Sequence, residues 1–552
     1  MLSQKTLNIA SFLHSISDIL RGDYKRSDFG KVILPFTLLR RVECLLDELP
    51  NDTLVSNKAN LRLKDCLINS QVNLFAYIQG FSSDIIDIFK HFEFDRQIEK
   101  LVHVNVLSLI IAKFVQVDLH PSVVSNADMG LIFEELIRQF AEDSNETSGE
   151  HYTPREVIKL LVDLLFFDDC SNSDIRTIYD PTAGTGGMLS VAEDYLKTKN
   201  ANIKLVVHSQ ELNGESYAVC KSDMLLRGHD IGLIKFGNTL SNDQHANAKF
   251  DYSISNPPFG VEWKKVEKEI RLEHEKLGFD GRFGAGLPRV SDGSLLFLQH
   301  LISKMKAPQD GGGRIAIVLN GSPLFTGGAG SGESDIRKYI MENDLLETII
   351  GLPTDIFYNT GIATYIWLLS NRKAPERRGR VQLINAINMY RRMRKSLGSK
   401  RNELSQEHIN EIVRLYAEYK ENNTSKIFKN EDFGYYTITV ERPLKDIDGN
   451  DILLTKGKQK GQIQPDPNLR DTENIPINDD IHDYFKREVL PHVPDAWIDH
   501  EKTKIGYEFS FNKQFYEHTP LRDLRDIEKE IRQLNKEIIA LMDDIFDDDE
   551  FY

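Results

Sequence analysis

Apolar side chains recur every three or four residues along the first part of the chain, which is the period of an α-helix. The two clearest runs are Ile9, Phe12, Leu13, Ile16, Ile19 and Leu20, and then Leu34, Leu38, Leu39, Val42, Leu45 and Leu46. Such spacing places the apolar side chains on one face of each helix. The pattern stops at the polar segment 143–150, which predicts a domain boundary. The sequence therefore predicts an all-α N-terminal domain over residues 1–142.

Short apolar runs and helical patterns alternate from residue 149 to about residue 400, which predicts an α/β domain over 149–400. The predicted strands are 175–180, 205–211, 250–255, 313–319, 345–351, 362–369 and 381–384. Helical patterns begin near Thr153, Ser294 and Ser334. Thr153 followed by Pro154 is typical of an N-cap residue with proline at the first helical position. The alternation predicts a mostly parallel sheet.

Residues 401–552 form the remaining C-terminal region, and its last part has a heptad pattern. Apolar residues alternate three and four apart at Leu524, Ile527, Ile531, Leu534, Ile538, Leu541 and Ile545. This spacing predicts a coiled-coil helix over about residues 521–546. The seam must be buried against another helix, which lies either in this chain or in a partner.

Composition narrows the class of protein. The length of 552 residues suggests two or three domains, and no apolar run is long enough to span a bilayer. The four cysteines have no metal-type spacing, which predicts reduced thiols in a cytoplasmic protein and no metal site. The net charge of −16 differs from the basic surface typical of proteins that grip DNA unaided. If DNA is the substrate, the positive charge is local or a partner supplies it.

A polar turn follows the predicted strand 250–255. It reads Asn256, Pro257, Pro258 and Phe259, and the prolines end the strand and stiffen the turn. The Asn256 amide oxygen and the Pro257 carbonyl could accept both hydrogens of a planar exocyclic amine. Phe259 could supply a face against which a flat heterocycle stacks. The alternative is an ordinary loop with a buried phenylalanine.

A glycine-rich turn follows the strand 175–180. It places Asp180 at the strand end, before the segment Thr182-Ala183-Gly184-Thr185-Gly186-Gly187. The next strand ends in Glu211, at a position where a carboxylate typically binds ribose hydroxyls. Such an acidic, glycine-lined pocket suits a cationic sulfonium cofactor better than an anionic pyrophosphate. The alternative is a tight turn with solvent-facing acids.

Three segments occur in the order typical of amino-methylating DNA methyltransferases: 150–155 (Glu-His-Tyr-Thr-Pro-Arg), 180–187 and 256–259. The chain more narrowly resembles the modification (M) subunit of type I restriction–modification systems, from near Tyr24 to about Met542. Further matching segments are 321–325, 350–353, 357–362 and 488–497. The resemblance implies a Rossmann-like S-adenosylmethionine-dependent methyltransferase domain between a helical N-terminal domain and a helical, coiled-coil tail.

The resemblance also implies a reaction: methyl transfer from S-adenosylmethionine to N6 of an adenine flipped out of double-stranded DNA. Catalytic roles fall to Asn256, Pro257, Pro258 and Phe259. The expected cofactor-binding residues are Glu150, His151, Tyr152, Thr153, Pro154, Arg155, Asp180, Thr182, Ala183, Gly184, Thr185, Gly186, Gly187, Glu211, Asn238 and Thr239. Asn238 departs from the family, in which an Asp is expected, and this predicts altered cofactor affinity rather than lost activity.

In such systems a separate specificity (S) subunit reads the DNA sequence, and the resemblance implies that the C-terminal helix binds it, with two M subunits per S. Whether a restriction (R) subunit joins stays open. Two other functions are considered. One is methylation of a protein glutamine amide, in enzymes that usually have Tyr where this chain has Phe259. The other is a catalytically silent cofactor-binding scaffold, which the intact Asn256 disfavours.

Overall fold

The computed structural model describes Phe12 and residues 15–48, 56–143, 153–167, 175–199, 203–358, 360–456, 460–516 and 523–547. Helices dominate the described chain up to residue 143, as the sequence predicts. Their bounds are Gly30–Glu48, Ser70–Gln79, Ser83–His91, Phe94–His103, Leu107–Gln116 and Asn126–Asp143. Their apolar faces meet around buried aromatic rings, with the Phe36 centroid 5.1 Å from that of Phe94 and 5.3 Å from that of Phe114.

A central sheet follows the helices. The strands up to residue 429 are β1 (Ile175–Asp180), β2 (Lys204–Glu211), β3 (Ile234–Phe236), β4 (Tyr252–Ser255), β5 (Arg314–Asn320), β6 (Leu346–Gly351), β7 (Thr364–Ser370), β8 (Arg380–Asn385), β9 (Arg391–Leu397), β10 (Lys400–Glu403) and β11 (Ser425–Lys429). Nine of them form one sheet in the order β11-β8-β6-β7-β5-β4-β1-β2-β3, and β9 and β10 pair as a separate hairpin.

The prediction of a mostly parallel sheet is confirmed, with two exceptions. β7 lies antiparallel between β5 and β6, and β11 lies antiparallel to β8. Among the described residues between β6 and β7 there is no helix, so this connection lacks the crossover element that parallel strands usually need. β11 comes from beyond residue 400, where the sequence analysis began the C-terminal region.

Helices connect the strands, and several of them pack on the sheet. Their bounds are Arg155–Leu165, Gly187–Lys199, Gly214–Arg227, Glu267–Leu277, Ser294–Ser303, Ser322–Phe325, Gly332–Glu342 and Gln406–Glu418. Gly214–Arg227 lies between the sheet and the N-terminal helices, and Lys221 on it places its Nζ 2.9 Å from Asp84 and 3.1 Å from Asp87. One apolar core runs from the N-terminal helices into the sheet.

Past residue 430 the chain forms a second, smaller sheet, which the sequence analysis did not predict. Its strands are β12 (Gly434–Glu441), β13 (Asp471–Pro476) and β14 (Trp497–Tyr507), antiparallel in the order β13-β12-β14. The short helix Ile481–Tyr484 and the turn after it cover the sheet's small apolar core. Ser334 anchors β14, because its hydroxyl accepts a hydrogen bond from the Tyr507 amide.

Residues 510–552 separate as a second compact unit. Its described helices are Phe511–Gln514 and Leu524–Asp547, so the predicted helix over about 521–546 forms. The seam side chains that the structure describes, Leu524, Ile527, Ile531, Leu534 and Ile538, are exposed, from 38% at Ile527 to 83% at Leu524. Pairing of this seam as a coiled coil stays a prediction.

Across the described residues, no helix combines the length and apolar character needed to cross a membrane.

Candidate active site

The cavity of greatest interest opens at the carboxyl edge of the sheet, where β1, β2 and β4 end side by side. Its volume is about 570 Å³, within the range of sites for small molecules and cofactors. The loops after these three strands form its walls. Predicted site residues that line it are Thr153, Thr182, Ala183, Gly184, Thr185, Gly187, Glu211, Asn238, Thr239, Asn256 and Pro258.

Asn256 lies directly after β4, and its amide has a defined orientation. The Nδ2 group donates a 2.9 Å hydrogen bond to the Thr153 hydroxyl. The Oδ1 atom is buried and has no hydrogen-bond partner among the described residues. A buried acceptor without a partner is costly, so such a group commonly marks a functional site. Asn256 therefore presents a free carbonyl oxygen beside the cavity.

The predicted N-cap role of Thr153 is wrong. The helix Arg155–Leu165 begins one residue later than expected, so Pro154 is its N-cap, and no side chain caps it. The Thr153 hydroxyl instead accepts the bond from Asn256, which lies 103 residues further along the chain. A local pattern could not show this partner.

The other members of the predicted catalytic turn differ in position. Pro258 lines the cavity, whereas Pro257 is buried and Phe259 is half-buried, and neither lines it. The Phe259 ring packs edge-on against Phe357, with the centroids 5.6 Å apart and the planes at 89°. Phe357 belongs to the segment 357–362, which the sequence analysis matched to the family. The two rings form an aromatic pair behind the Asn256 turn.

Asp180 ends β1 and is fully buried. Its Oδ1 accepts a hydrogen bond of 2.9 Å from the Thr182 amide, and its Oδ2 has no partner among the described residues. Desolvation by burial raises the pKa of Asp180 to about 8; the Thr182 bond opposes this rise and the nearby Glu211 charge adds to it. A cation bound nearby would favour the ionised form.

Glu211 ties two cavity loops together. Its Oε2 accepts from the Gly184 amide and its Oε1 from the Asn213 amide, each at 2.7 Å. Gly186 in the same turn has φ +85°, and a Cβ there would lie 2.9 Å from Cys220 Sγ. Only glycine fits this position without strain. The glycine turn is thus held in one shape by a carboxylate on one side and by close packing on the other.

The turn after β3 forms the far wall. Asn238 Oδ1 accepts from the Leu240 amide at 2.9 Å, and its Nδ2 makes no hydrogen bond within the described chain. The Thr239 hydroxyl donates to the Pro181 carbonyl at 2.6 Å. Arg282 supports this turn from behind, because its guanidinium donates to the carbonyls of Thr239 and Leu240. A local pattern gives Arg282 no role at this turn, because the two carbonyls lie 43 and 42 residues earlier in the chain.

The apolar residues that line the cavity were not among the predicted site residues. It includes Met188, Leu212, Trp263, Val266 and Phe297. Trp263 is buried, and its indole N–H donates to the Arg289 carbonyl at 3.0 Å. These residues carry no motif, and only the fold brings them together.

Some predicted cofactor residues fall elsewhere. Glu150, His151 and Tyr152 lie outside the described residues. Asp180, Pro154, Arg155 and Gly186 are described but do not line the cavity. Asp180 and Gly186 shape the turn that does.

The mixed α/β fold, with a central sheet and a site at its carboxyl edge, is the architecture of S-adenosylmethionine-dependent methyltransferases. Family models identify the chain more closely. The N-6 DNA Methylase model matches residues 124–464, and the HsdM N-terminal domain model matches residues 9–114. The chain belongs to the N-6 DNA methylase family.

Similar proteins with established names are methylase subunits of type I restriction enzymes. The chain is 27% identical over 363 residues to the type I restriction enzyme MjaIX methylase subunit of Methanocaldococcus jannaschii, covering 64% of this chain and 59% of the relative. It is 27% identical over 340 residues to the HindI methylase subunit of Haemophilus influenzae, covering 61% of this chain and 69% of that one. The chain thus spans less than two thirds of the first relative's length.

Solved structures share the fold. A type I restriction-modification methyltransferase subunit from Streptococcus thermophilus superposes with a TM-score of 0.61 at 21% identity, covering 77% of this chain and 96% of that one. A chain from a type I restriction-modification complex gives a TM-score of 0.55 at 18% identity, covering 99% of both chains. At these identities the likeness concerns the fold.

Proposed function

We propose that this chain transfers the methyl group of S-adenosylmethionine to N6 of a flipped-out adenine in double-stranded DNA, as the M subunit of a type I restriction–modification complex. The observation that carries the proposal is the Asn256 carbonyl oxygen, which is buried at the cavity and has no partner among the described residues. Membership of the N-6 DNA methylase family supports the same reaction.

The cavity suits the cofactor in charge and in size. S-adenosylmethionine, when bound, supplies an electrophilic methyl group on a positively charged sulfur. Glu211 lines the cavity, and the buried Asp180, at the strand end before the glycine turn, has a carboxyl oxygen without a described partner, so the site favours a cation. The cofactor-binding set carried over from the family, 150–155, Asp180, 182–187, Glu211, Asn238 and Thr239, is part of this proposal.

Asn256 prepares the amine for attack. Its Oδ1 accepts one N6 hydrogen and the Pro257 carbonyl accepts the other, which keeps the nitrogen lone pair directed at the methyl group. Thr153 holds the amide so that its oxygen, not its NH₂ group, faces the base. Phe259 and Pro258 position the base. Because the amine proton can leave after attack, no strongly shifted general base is needed.

Partner subunits supply the positive charge and the sequence recognition that this acidic chain lacks. The exposed seam of the helix Leu524–Asp547 binds the S subunit, which reads the sequence, with two M subunits per S. An R subunit can join such a complex. We keep the division into a helical N-terminal domain (1–142), a catalytic domain (149–400) and a C-terminal region (401–552), from which β11 joins the catalytic sheet. A cytoplasmic location fits the described cysteines Cys44, Cys66 and Cys220, which are buried free thiols.

The test is methyl transfer from labelled S-adenosylmethionine to unmethylated DNA, with this chain alone and with its S subunit. Label at adenine N6 that depends on the S subunit is the expected result. Asn256→Ala should lower the rate by at least about 10²-fold, as expected for a lost preorganised hydrogen-bonding group, while cofactor binding persists. Asn410→Ala, at an exposed asparagine on the helix Gln406–Glu418, is the matched control.

A normal rate for Asn256→Ala would contradict the catalytic assignment. Labelled protein instead of labelled DNA would favour the glutamine-amide reaction. Cofactor binding with no transfer to either substrate would favour the scaffold.

A further inference from the structure

An exposed cluster of positive charge stands out on this acidic chain. β9 has the sequence Arg-Arg-Met-Arg-Lys-Ser-Leu, and Arg392, Arg394 and Lys395 on it are exposed, as is Arg401 on β10. Within the described chain, none of these four cations forms an ion pair with a carboxylate. Exposed cations are usually interspersed with acidic groups, so this hairpin is a local exception to a net charge of −16.

The hairpin is a defined ladder. β9 and β10 pair antiparallel, with Asn402 opposite Arg392. One cation of the strand is neutralised, because Arg391 Nε lies 2.7 Å from Glu403 Oε1. Side chains alternate between the two faces of a strand, so Arg392 and Arg394 share a face.

The hairpin lies at the edge of the sheet that carries the active site. It follows the carboxyl end of β8, which runs parallel to β6. β6 and β5 both run antiparallel to β7, and β5 is parallel to β4, so the carboxyl ends of β8 and β4 point to the same edge. Asn256 follows β4 at that edge.

Direct contacts join the hairpin to the segment 355–358 and to the helix Arg155–Leu165. The Ser399 amide donates to the Tyr358 carbonyl at 2.8 Å, and the Arg401 amide donates to the Asp355 carbonyl at 2.9 Å. Lys400 is buried and forms an ion pair with Glu156, in the first turn of the helix that follows Thr153.

The segment that receives these bonds also carries Phe357. Its ring packs edge-on against Phe259, three residues after Asn256. The base of the hairpin is thus connected to the turn of Asn256 through the segment 355–358.

We propose that the β9–β10 hairpin binds the sugar-phosphate backbone of duplex DNA beside the target adenine, with Arg392 and Arg394 contacting phosphates. The inference deepens the proposed function and rests on DNA being the substrate. β9 is roughly 20 Å long at about 3.3 Å per residue, so it can extend along about six base pairs of the duplex axis, at about 3.4 Å of axis for each phosphate of one strand. Arginine suits such contacts because its guanidinium donates two parallel hydrogen bonds to a phosphate.

The test is the salt dependence of binding between the full-length chain and a fluorescent duplex of mixed sequence, from about 50 to 200 mM salt. Arg392→Gln/Arg394→Gln is compared with Arg378→Gln/Arg380→Gln. The control pair removes the same charge from exposed arginines at the amino end of β8, the opposite edge of the sheet. Thermal stability and cofactor binding of both variants should equal those of the wild type.

We expect the slope of log K against log salt to become shallower by about 1.8 in the hairpin variant, at about 0.9 per lost phosphate contact. The control variant should keep the wild-type slope. Equal slopes in both variants, or a wild-type chain that shows no salt-dependent duplex binding, would overturn the inference. Unchanged duplex binding with weaker association to the S subunit would also overturn it, because the hairpin would then bind a protein.

Methyl transfer separates the two proposals. If the Arg392→Gln/Arg394→Gln variant keeps the wild-type salt slope and its complex with the S subunit labels adenine normally, the hairpin inference alone is refuted. A changed slope in a chain that never methylates DNA, with or without the S subunit, refutes the proposed function alone.

Discussion

Replacing Thr153 with valine tests how the active site orients its catalytic amide. The valine keeps the shape of threonine but removes the hydroxyl that accepts the 2.9 Å hydrogen bond from Asn256 Nδ2. Without that acceptor, the Asn256 NH₂ group loses its partner in a largely buried site. The amide can then rotate and place its NH₂ group, not its oxygen, toward the adenine amine. In that orientation two donors face each other and the substrate is bound unproductively.

The size of the effect follows from the cost of the unpaired donor. Leaving a buried hydrogen-bonding group without its partner costs about 1–3 kcal/mol. At about 1.4 kcal/mol per tenfold change in rate, kcat should fall by about 5- to 150-fold. Thr153→Ser keeps the hydroxyl, so it should retain most of the activity.

Single-turnover methylation at saturating cofactor and DNA measures this effect. Cofactor affinity is measured separately, because Thr153 also lines the cavity. A positioning role predicts a fall in kcat, rescue by serine, and little change in the cofactor Kd. A Thr153→Val enzyme with normal kcat would refute the reasoning, as would a loss confined to cofactor binding.

Three further predictions concern the cofactor turn and the tail. Burial raises the pKa of Asp180 to about 8, so binding of the cationic cofactor should release a proton from it. Cofactor affinity should therefore rise from about pH 6 to 8, by at most about tenfold per pH unit. Calorimetry in buffers of different ionisation enthalpy detects the proton, and no release at pH 7 would contradict this prediction. Gly186→Ala should lower the free energy of unfolding by about 1–3 kcal/mol, because the φ of Gly186 is +85° and the new Cβ would lie 2.9 Å from Cys220 Sγ. Thermal denaturation measures this loss. Gly187→Ala is the control, because its Cβ would lie 3.7 Å from the nearest atom, Ile158 Cδ1. Ile531→Asp on the exposed seam should abolish methylation that depends on the S subunit while cofactor binding stays normal; retained co-purification with the S subunit would contradict the seam's role.

Sequence reasoning worked where a structure is encoded by neighbouring residues. The ends of β1, β2 and β4, and hence the positions of Asp180, Glu211 and Asn256, match the prediction. Apolar periodicity, glycine turns and prolines act over a few residues, so they can be read without the fold. The helix Leu524–Asp547 also formed where the heptads predict it.

Prediction failed for elements whose stability comes from distant partners. β3 has three residues, and β11 lies at the edge of the sheet, where β8 is its one partner strand in the described chain; neither has a strong apolar pattern of its own. β12, β13 and β14 alternate weakly because their sheet is small and half-exposed.

The sequence by itself determined the order of helices and strands and the residue types that stand at the strand ends, because these depend on local periodicity and turn chemistry. Only the tertiary structure decided how those residues are used. It placed the Thr153 hydroxyl on Asn256 across 103 residues, set β7 antiparallel between β5 and β6, and brought the β9–β10 hairpin to the catalytic edge. Each of these outcomes depends on contacts between segments far apart in the chain, whose pairing is settled by burial and hydrogen bonding of the whole fold.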